Sequence, residues 1–216
     1  ISEDGFNVQG YLTNEEWIEA MEFYRDLFNK YAVSPKGVIP EEMHELFGTG
    51  KVAMYISGES GVVTFANNYP DLNFGVSYHS YFADGEAVTP TGSWHIGVSK
   101  NTKNAEAAAR FVKFLTTDPR VAKAAFKDHG YLVPNVELFS FTDEEMEAMG
   151  YPADAFRLLE YELNNTAVSR PQTPGYLEWE DILSGALEDI RNGADPEDTL
   201  KNAEYRLQRL LNRYTR

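Results

Sequence analysis

Several features that are common in proteins are missing from this chain of 216 residues. It has no cysteine, which excludes disulfide bonds and thiolate chemistry. No apolar run approaches the ~20 residues that a membrane-spanning helix needs, and the first residues lack the basic and apolar regions of a signal peptide. We therefore expect a globular chain, with any targeting signal outside this sequence.

Basic residues are also scarce. The chain has 19 lysines and arginines against 34 acidic residues, which gives a formal net charge of -15. A surface of that sign repels the phosphates of nucleic acids and the head groups of anionic lipids. We therefore expect no nucleic acid partner.

Metal-binding patterns are missing as well. The four histidines show none of the spacings that are typical of metal sites. His79 and His95 flank a loop that contains Asp84 and Glu86, but nothing in this arrangement demands an ion. We predict no metal and no cofactor.

What the chain does contain is apolar residues at helical spacing over most of its length. Thr13 and Glu16 form a capping-box pattern, which predicts a first helix that ends before Ser34. Pro40 suits the first turn of a second helix, which Gly48 closes. Further helices are predicted over residues 62–68, 105–115, 119–126, 154–163, 176–190 and 196–210, with a short one after Thr142.

Three short apolar segments predict strands. Residues 52–56 are almost continuously apolar, which is typical of a strand buried on both faces of a parallel sheet. Residues 73–78 and the alternating residues 96–98 are also strand-like. Strands interspersed with helices in this way predict an α/β fold.

The chain changes direction between Thr89 and Asn101, before a predicted helical hairpin. Pro90 and Gly92 mark a bend there, and Trp94 follows them. A large aromatic ring at such a bend either plugs the core or faces a ligand, and periodicity does not separate the two.

A glycine-rich turn, Gly58-Glu59-Ser60-Gly61, joins a predicted strand to a predicted helix. In open α/β sheets this position faces the ligand crevice. The turn also resembles the nucleophile elbow of α/β hydrolases, but Val62 stands where the elbow needs its last glycine, and no histidine follows His129. An esterase, or a glycosidase with paired carboxylates, stays an alternative.

Aromatic residues are plentiful, and several lie in bends rather than on periodic faces. Trp94, Tyr176 and Trp179 stand near polar turns that contain glycine. Flat rings beside polar groups suit the apolar faces and the hydroxyls of sugars. For each ring taken separately, packing in the core is an equal alternative.

Three groups of residues follow one another in a recognisable order. They are Leu46-Phe47-Gly48-Thr49-Gly50-Lys51-Val52-Ala53-Met54 with Gly58; Gly92-Ser93 with Ser99-Lys100-Asn101, Ala107, Ala108, Phe111, Phe114 and Leu115; and Arg170-Pro171, Pro174 and Tyr176 with Gly193-Ala194-Asp195-Pro196-Glu197. Together they resemble the extracellular solute-binding proteins of ABC importers, in the sugar-binding branch that includes the maltose-binding type. Each group is weak alone, but the likeness spans nearly the whole chain.

The resemblance implies the type II periplasmic-binding-protein fold, in which two α/β lobes enclose a ligand cleft. Chains of that family are longer, so this sequence resembles their C-terminal half. On this basis residues 1–88 and 142–216 are expected to belong to the second lobe. Residues 89–141, with the crossing strand and the helical hairpin, are expected to visit the first lobe.

The resemblance also implies a function without catalysis. A mono- or oligosaccharide would bind in the cleft, the lobes would close about a hinge, and the membrane subunits of an ABC permease would receive the ligand. The protein is expected to be a monomer in the periplasm or a lipoprotein at the cell surface. The candidate ligand-binding residues are Glu59, Ser60, Gly92, Ser93, Trp94, Tyr176 and Trp179.

One departure from the family leaves the ligand class open. Many relatives carry an aromatic residue just after the glycine that ends the first group, where this chain has Glu59 and Ser60. A ligand other than a sugar, such as a phosphodiester or an oligopeptide, is therefore kept as the alternative.

Overall fold

A computed structural model describes residues 1–92, 94–131, 135, 142–148 and 151–215. The chain divides into two compact units. The first unit consists of Ile1–Val38 and Arg170–Arg216, and the second of Ile39–Ser169. The expected assignment of 1–88, 89–141 and 142–216 concerned the lobes of a complete binding protein, and it stays a prediction.

Helices dominate both units. The helices that the structure describes are α1 (Glu15–Asn29), α2 (Pro40–Gly48), α3 (Ser60–Asn68), α4 (Ala105–Thr117), α5 (Pro119–His129), α6 (Asp143–Ala148), α7 (Ala153–Asn165), α8 (Tyr176–Arg191) and α9 (Pro196–Leu211). The strands that it describes are β1 (Thr89–Thr91) and β2 (Ala167–Ser169).

In the first unit α1, α8 and α9 pack against one another. Asp195 caps α9 by accepting a hydrogen bond from the Asp198 backbone N–H at 3.0 Å, and Pro196 begins the helix. The buried residues recur along α9 at intervals of three or four, as the sequence predicts. The buried residues of this core are Val8, Leu12, Met21, Trp179, Ile190, Leu200, Leu207, Leu210 and Leu211.

Two polar side chains of α9 attach the N-terminal segment to this core. Glu204 Oε2 accepts hydrogen bonds from the backbone N–H groups of Gly10 at 3.0 Å and Leu12 at 3.2 Å, and from the Thr13 hydroxyl at 3.2 Å. Gln208 accepts from the Val8 N–H at 2.9 Å. The backbone N–H groups of this irregular segment thus have hydrogen-bond acceptors although no neighbouring strand of the described chain provides them.

The second unit is built around α3, which packs against α2 and α5. Its buried residues meet apolar side chains of α5, α6 and α7. The core residues are Val62, Val63, Phe126, Met146, Tyr151, Ala155 and Phe156.

Phe65 of α3 is the centre of an aromatic cluster. Its ring centroid lies 4.8 Å from that of Phe47 and 5.6 Å from the imidazole of His44. Tyr55 and Phe74 lie 6.0 and 5.9 Å away. Edge-on contacts of this kind add to the burial of the rings, so the cluster fixes α2 and α3 relative to each other.

A short parallel sheet joins β1 to β2. Thr89 lies opposite Ala167, and Thr91 opposite Ser169. Thr89 also contacts Thr166, the residue before β2. The Thr89 backbone N–H donates to the Thr166 carbonyl at 2.9 Å, and the hydroxyl oxygens of the two threonines are 2.8 Å apart. Helix α7, which precedes β2, packs against both strands.

The predicted helices are confirmed, although one cap differs. Asn14 rather than Thr13 caps α1, since its side-chain oxygen accepts the Trp17 backbone N–H at 2.7 Å. The capping box after Thr142 is confirmed, because Thr142 and Glu145 exchange hydrogen bonds of 3.1 and 3.2 Å.

The predicted strands are wrong. Residues 52–56, 73–78 and 96–98 have no regular secondary structure, and no neighbouring strand pairs with them within the described part of the chain. Met54 is 87% exposed and Ile56 is 80% exposed, so the first segment is not buried on both faces. Apolar composition favours a strand only where another strand supplies hydrogen-bond partners.

Helix α4 has an amphipathic sequence, but none of its residues is buried. Phe111 is 57% exposed and Phe114 is 41% exposed. The Arg120 guanidinium lies 5.6 Å from the centre of the Phe114 ring. Within the described residues, no helix has both the length and the apolar character to cross a membrane.

The first prediction concerns Glu204. Glu204→Ala removes an acceptor that three donors share, so we expect unfolding free energy to fall by about 2 kcal/mol, the scale of hydrogen bonds to a charged group. Urea titration followed by circular dichroism measures the change. Glu22→Ala, on an exposed part of α1, is the matched control. Equal stability of the two variants would contradict the role given to Glu204.

The second prediction concerns pH. Asp118 caps α5 and binds the Arg120 guanidinium at 2.8 and 2.7 Å, and these hydrogen bonds lower the pKa of Asp118 to about 2 from 3.8. A carboxyl whose pKa is lowered on folding stabilises the fold above its unfolded pKa, and that contribution disappears as the pH falls through the folded value.

We therefore expect Asp118→Asn to lower the melting temperature at pH 7, with the difference from wild type shrinking between about pH 4 and pH 2. Thermal melts at a series of pH values measure it. Asp154→Asn makes the same change at an exposed carboxylate. A difference that stayed constant down to pH 2 would contradict the assignment.

Candidate functional site

Glu59 and Ser60 lie at the start of α3, as the sequence predicted. Glu59 precedes the helix with φ -54° and ψ -37°, and Ser60 is its first residue. Both side chains are half-buried. They are followed by the buried residues Val62 and Phe65, so the core on which α3 rests also fixes this turn.

Gly130 brings the end of α5 against the same turn. It ends α5 in the left-handed conformation with φ 72°. A Cβ at this position would lie 2.7 Å from Val63 Cγ2 and 3.3 Å from Ser60 Cα, so only glycine fits. The last turn of α5, which contains Lys127 and His129, therefore ends beside Ser60.

The turn lacks the strain of a nucleophile elbow. Glu59 has ordinary helical angles, and among the described residues other than glycine a positive φ occurs at Ala32. No histidine hydrogen-bonds to the Ser60 hydroxyl within the described part of the chain. The geometry gives the hydrolase alternative no support beyond the sequence pattern.

Trp94 follows β1 and is 86% exposed. Gly92, which precedes it, is also exposed. Ser93 lies outside the described residues. A surface position for so large a ring is uncommon, because indole rings are usually mostly buried. The exposure favours a ring that faces a ligand over one that plugs the core.

Tyr176 is the first residue of α8, and its hydroxyl contacts a charged side chain. Arg170 Nη1 donates a hydrogen bond to the Tyr176 hydroxyl at 3.3 Å and lies 3.9 Å from Glu180 Oε1. The Tyr176 ring meets Trp179 edge-on, with the centroids 6.1 Å apart. An aromatic ring and three polar groups thus share one end of α8.

Trp179 belongs to the core of the first unit, where it packs with Val8 and Leu207. It is 8% exposed, and its buried Nε1 has no hydrogen-bond acceptor among the described residues. The Trp179 ring packs against the ring of Tyr176. This position favours the core alternative for Trp179, and its contact with a ligand stays a prediction.

The candidate residues form two sets in the structure. Glu59, Ser60, Gly92 and Trp94 belong to the second unit, and Tyr176 with Trp179 belongs to the first. The sequence predictions missed Arg170 and Glu180. Glu180 follows Tyr176 by one helical turn, a spacing that could have indicated it. Arg170 stands in an irregular segment, where no periodic signal exists.

Two of the four histidines, His44 and His79, pack against other side chains. His44 lies in the aromatic cluster around Phe65, and His79 contacts the buried carboxylate of Glu162, with Nδ1 to Oε1 at 3.4 Å. Over residues 1–92, 94–131, 135, 142–148 and 151–215, no group of three or more acidic or histidine side chains is placed to hold a metal ion.

The sequence profile of the bacterial extracellular solute-binding proteins matches residues 3–121, which is more than half of the chain. This match includes the turn at Glu59 and Ser60 and the bend at Trp94.

Solved structures of the same type share the fold at low sequence identity. An ABC substrate-binding protein of Listeria monocytogenes, in complex with cycloalternan, is 21% identical with a TM-score of 0.78, over 98% of this chain and 53% of that one. The maltose–maltodextrin binding protein of Alicyclobacillus acidocaldarius is 21% identical with a TM-score of 0.75, over 91% and 51%. Maltose-bound MalE3 of T. maritima is 20% identical with a TM-score of 0.81, over 95% and 54%.

These likenesses confirm the predicted type II periplasmic-binding-protein fold. The chain spans about half the length of the solved structures that it matches.

The third prediction tests the role of Trp179. Trp179→Ala should lower unfolding free energy by about 3–5 kcal/mol, because it empties a core position. Trp179→Phe should change it by less than about 1 kcal/mol, since the lost volume is offset by removal of an unpaired N–H. Urea titration measures both. Trp94→Phe, the same change at an exposed position, is the control, and a large loss on Trp179→Phe would show that the indole N–H has a partner.

Proposed function

This chain belongs to the family of bacterial extracellular solute-binding proteins, and we propose that it binds a mono- or oligosaccharide for import. The ligand would pass to the membrane subunits of an ABC permease outside the cytoplasm. No catalytic step is part of this proposal. The exposed indole of Trp94 is the observation that carries it.

The exposure of Trp94 supports a sugar ligand on physical grounds. Of the chain's three tryptophans, Trp179 is buried and Trp17 is half-buried. The exposed surface of an indole is stabilised when an apolar face covers it. The face of a sugar ring, lined with C–H groups, is such a partner, and its hydroxyls still require polar groups nearby.

Both sets also contain polar side chains. Glu59 and Ser60 supply a carboxylate and a hydroxyl at the start of α3. At the start of α8, Arg170 and Glu180 stand beside Tyr176. Carboxylates and guanidinium groups make strong hydrogen bonds to hydroxyls, which orients a ring that stacking alone would leave free to slide.

The names of the similar structures favour the same ligand class. One was solved with cycloalternan and another with maltose, and a third is described as a maltose–maltodextrin binding protein. At about a fifth of identical residues they support the fold rather than the substrate. The choice of a carbohydrate therefore rests on the exposed indole of Trp94.

The mechanism that we propose is closure about a hinge in the complete protein. Residues 1–88 and 142–216 would form one lobe, and residues 89–141 would contribute to the other. Ligand favours the closed state only by as much as it binds that state more tightly. The protein would act as a monomer in the periplasm or as a lipoprotein at the cell surface.

The fourth prediction tests the ligand class. Thermal melts of the longest natural protein that contains this chain, against mono- and oligosaccharides, should show a shift for one sugar class. Binding to the native state adds ~2.7 kcal/mol when ligand is at a hundredfold excess over its dissociation constant. Trp94→Ala should then weaken the affinity by ~1–3 kcal/mol, measured by calorimetry.

Tyr205→Ala is the control for Trp94→Ala, since Tyr205 is also exposed but lies on α9. Unchanged affinity in a folded Trp94→Ala variant would remove Trp94 from the site. A panel without any shift would favour a phosphodiester or an oligopeptide. Hydrolysis of chromogenic glycosides or esters that is lost in Ser60→Ala or Glu59→Gln would instead establish an enzyme.

A further inference from the structure

Two exposed tyrosines that no sequence pattern singled out form a pair on the second unit. Tyr78 is 53% exposed and Tyr161 is 49% exposed. Their ring centroids lie 5.1 Å apart, and the ring planes are inclined at 65°. Apolar side chains scattered singly over a surface need no explanation, whereas exposed rings in contact form a patch that a ligand can cover.

A hydrogen bond next to the pair joins the two segments that carry the rings. Glu162, which follows Tyr161 on α7, is buried, and its Oε1 accepts the backbone N–H of His79 at 2.9 Å. That N–H belongs to the peptide bond between Tyr78 and His79, so the contact fixes the backbone of Tyr78 against α7. Tyr78 is therefore attached to a helix, although its own segment has no regular secondary structure.

The hydroxyls of the pair are available to a ligand. Neither the Tyr78 hydroxyl nor the Tyr161 hydroxyl hydrogen-bonds to another group in the part of the chain that the structure describes. A phenolic hydroxyl can both donate and accept a hydrogen bond. The pair thus offers two apolar ring faces and two polar groups to the same ligand.

The arrangement of the rings favours a sugar residue. Rings inclined at 65° form two walls rather than one flat surface. A pyranose has C–H groups on its face and hydroxyls around its rim, so its face can lie on one ring while its rim reaches the other ring and the phenolic hydroxyls. The net charge of -15 disfavours an anionic ligand such as a phosphodiester.

We propose that the Tyr78–Tyr161 pair is a further sugar-binding contact of this protein, in addition to the residues predicted from the sequence. One pyranose residue stacks on a ring of the pair and hydrogen-bonds to both hydroxyls. The ligand class rests on the proposed function, but the contact uses none of the residues on which that function depends. The two proposals can therefore fail separately.

The test compares variants that remove the rings with variants that keep them. Tyr78→Leu and Tyr161→Leu keep apolar bulk but lose the flat face and the hydroxyl. Tyr78→Phe and Tyr161→Phe keep the rings and lose the hydroxyls alone. Tyr205→Leu makes the same change at an exposed tyrosine of α9 and is the matched control. Thermal melts establish that each variant folds.

Calorimetric titrations of the longest natural protein that contains this chain measure the affinities. The sugar probes are maltose, maltotriose and cellobiose, and choline is a cationic probe. For a sugar that wild type binds, we expect the leucine variants to lose about tenfold in affinity and the phenylalanine variants about threefold, the scales of a lost stacking contact and a lost hydrogen bond. Tyr205→Leu should bind as wild type does.

Unchanged affinity in the leucine variants would overturn this proposal and leave the proposed function standing. If the leucine variants do not fold, unchanged affinity in the phenylalanine variants overturns it, because both hydroxyls are required. Loss in the leucine variants with no effect of Trp94→Ala would support the pair and remove Trp94 from the site. If wild type binds no sugar, both proposals fail, and choline binding that the leucine variants lose would assign the pair to a cation instead.

Discussion

A parallel ladder only three residues long connects segments that lie 78 positions apart, from Thr89 to Ala167. Closing so long a stretch of chain has an entropic cost that three residues of ladder repay poorly. The ladder persists because α7 packs against both strands and because threonine hydroxyls pair beside it. Trp94 comes three residues after the end of β1, so the ladder precedes one of the candidate residues in the chain.

The aromatic residues serve two separate purposes, and burial distinguishes them. Around Phe65, rings from α2, α3 and the irregular segments after each helix make a cluster that replaces a sheet as the support of α3. Trp179, on α8, packs in the core of the first unit. Trp94 is exposed outside the helices, and Tyr176, the first residue of α8, is half-buried. The number of aromatic residues in a sequence does not tell which rings are buried and which are exposed.

Helices could be predicted from the sequence because their hydrogen bonds are local. The spacing of apolar residues, Pro196 after Asp195, and the pair Thr142 and Glu145 all act within a few residues. Strands could not be predicted in the same way. Residues 52–56 have the composition of a buried strand, but a strand also needs a neighbour, and the sequence of one segment does not specify which other segment pairs with it.

For the candidate residues, too, the sequence carries only local signals. The turn at Glu59 has local signals in its glycines, and α3 begins there, as expected. Pro90 and Gly92 are the local signals before Trp94, and the ligand contacts of these residues stay predictions. The contacts of Arg170 with Tyr176 and of Glu162 with His79 join residues through folding, so neither left a local pattern. A polar pair of this kind can be found only when the structure brings its members together.

Energetics explain why an exposed indole must act together with polar groups if it binds a sugar. A favourable aromatic contact contributes about 0.5–1.5 kcal/mol beyond the area that it buries. A dissociation constant of 1 mM already requires about 4 kcal/mol, after the cost of fixing the ligand. A single ring therefore cannot hold a sugar unless its own position is fixed in advance and hydroxyls are bound at the same time. The carboxylate and hydroxyl of Glu59 and Ser60 are groups of the kind that binds sugar hydroxyls, so they meet the second condition if they lie in the same cleft.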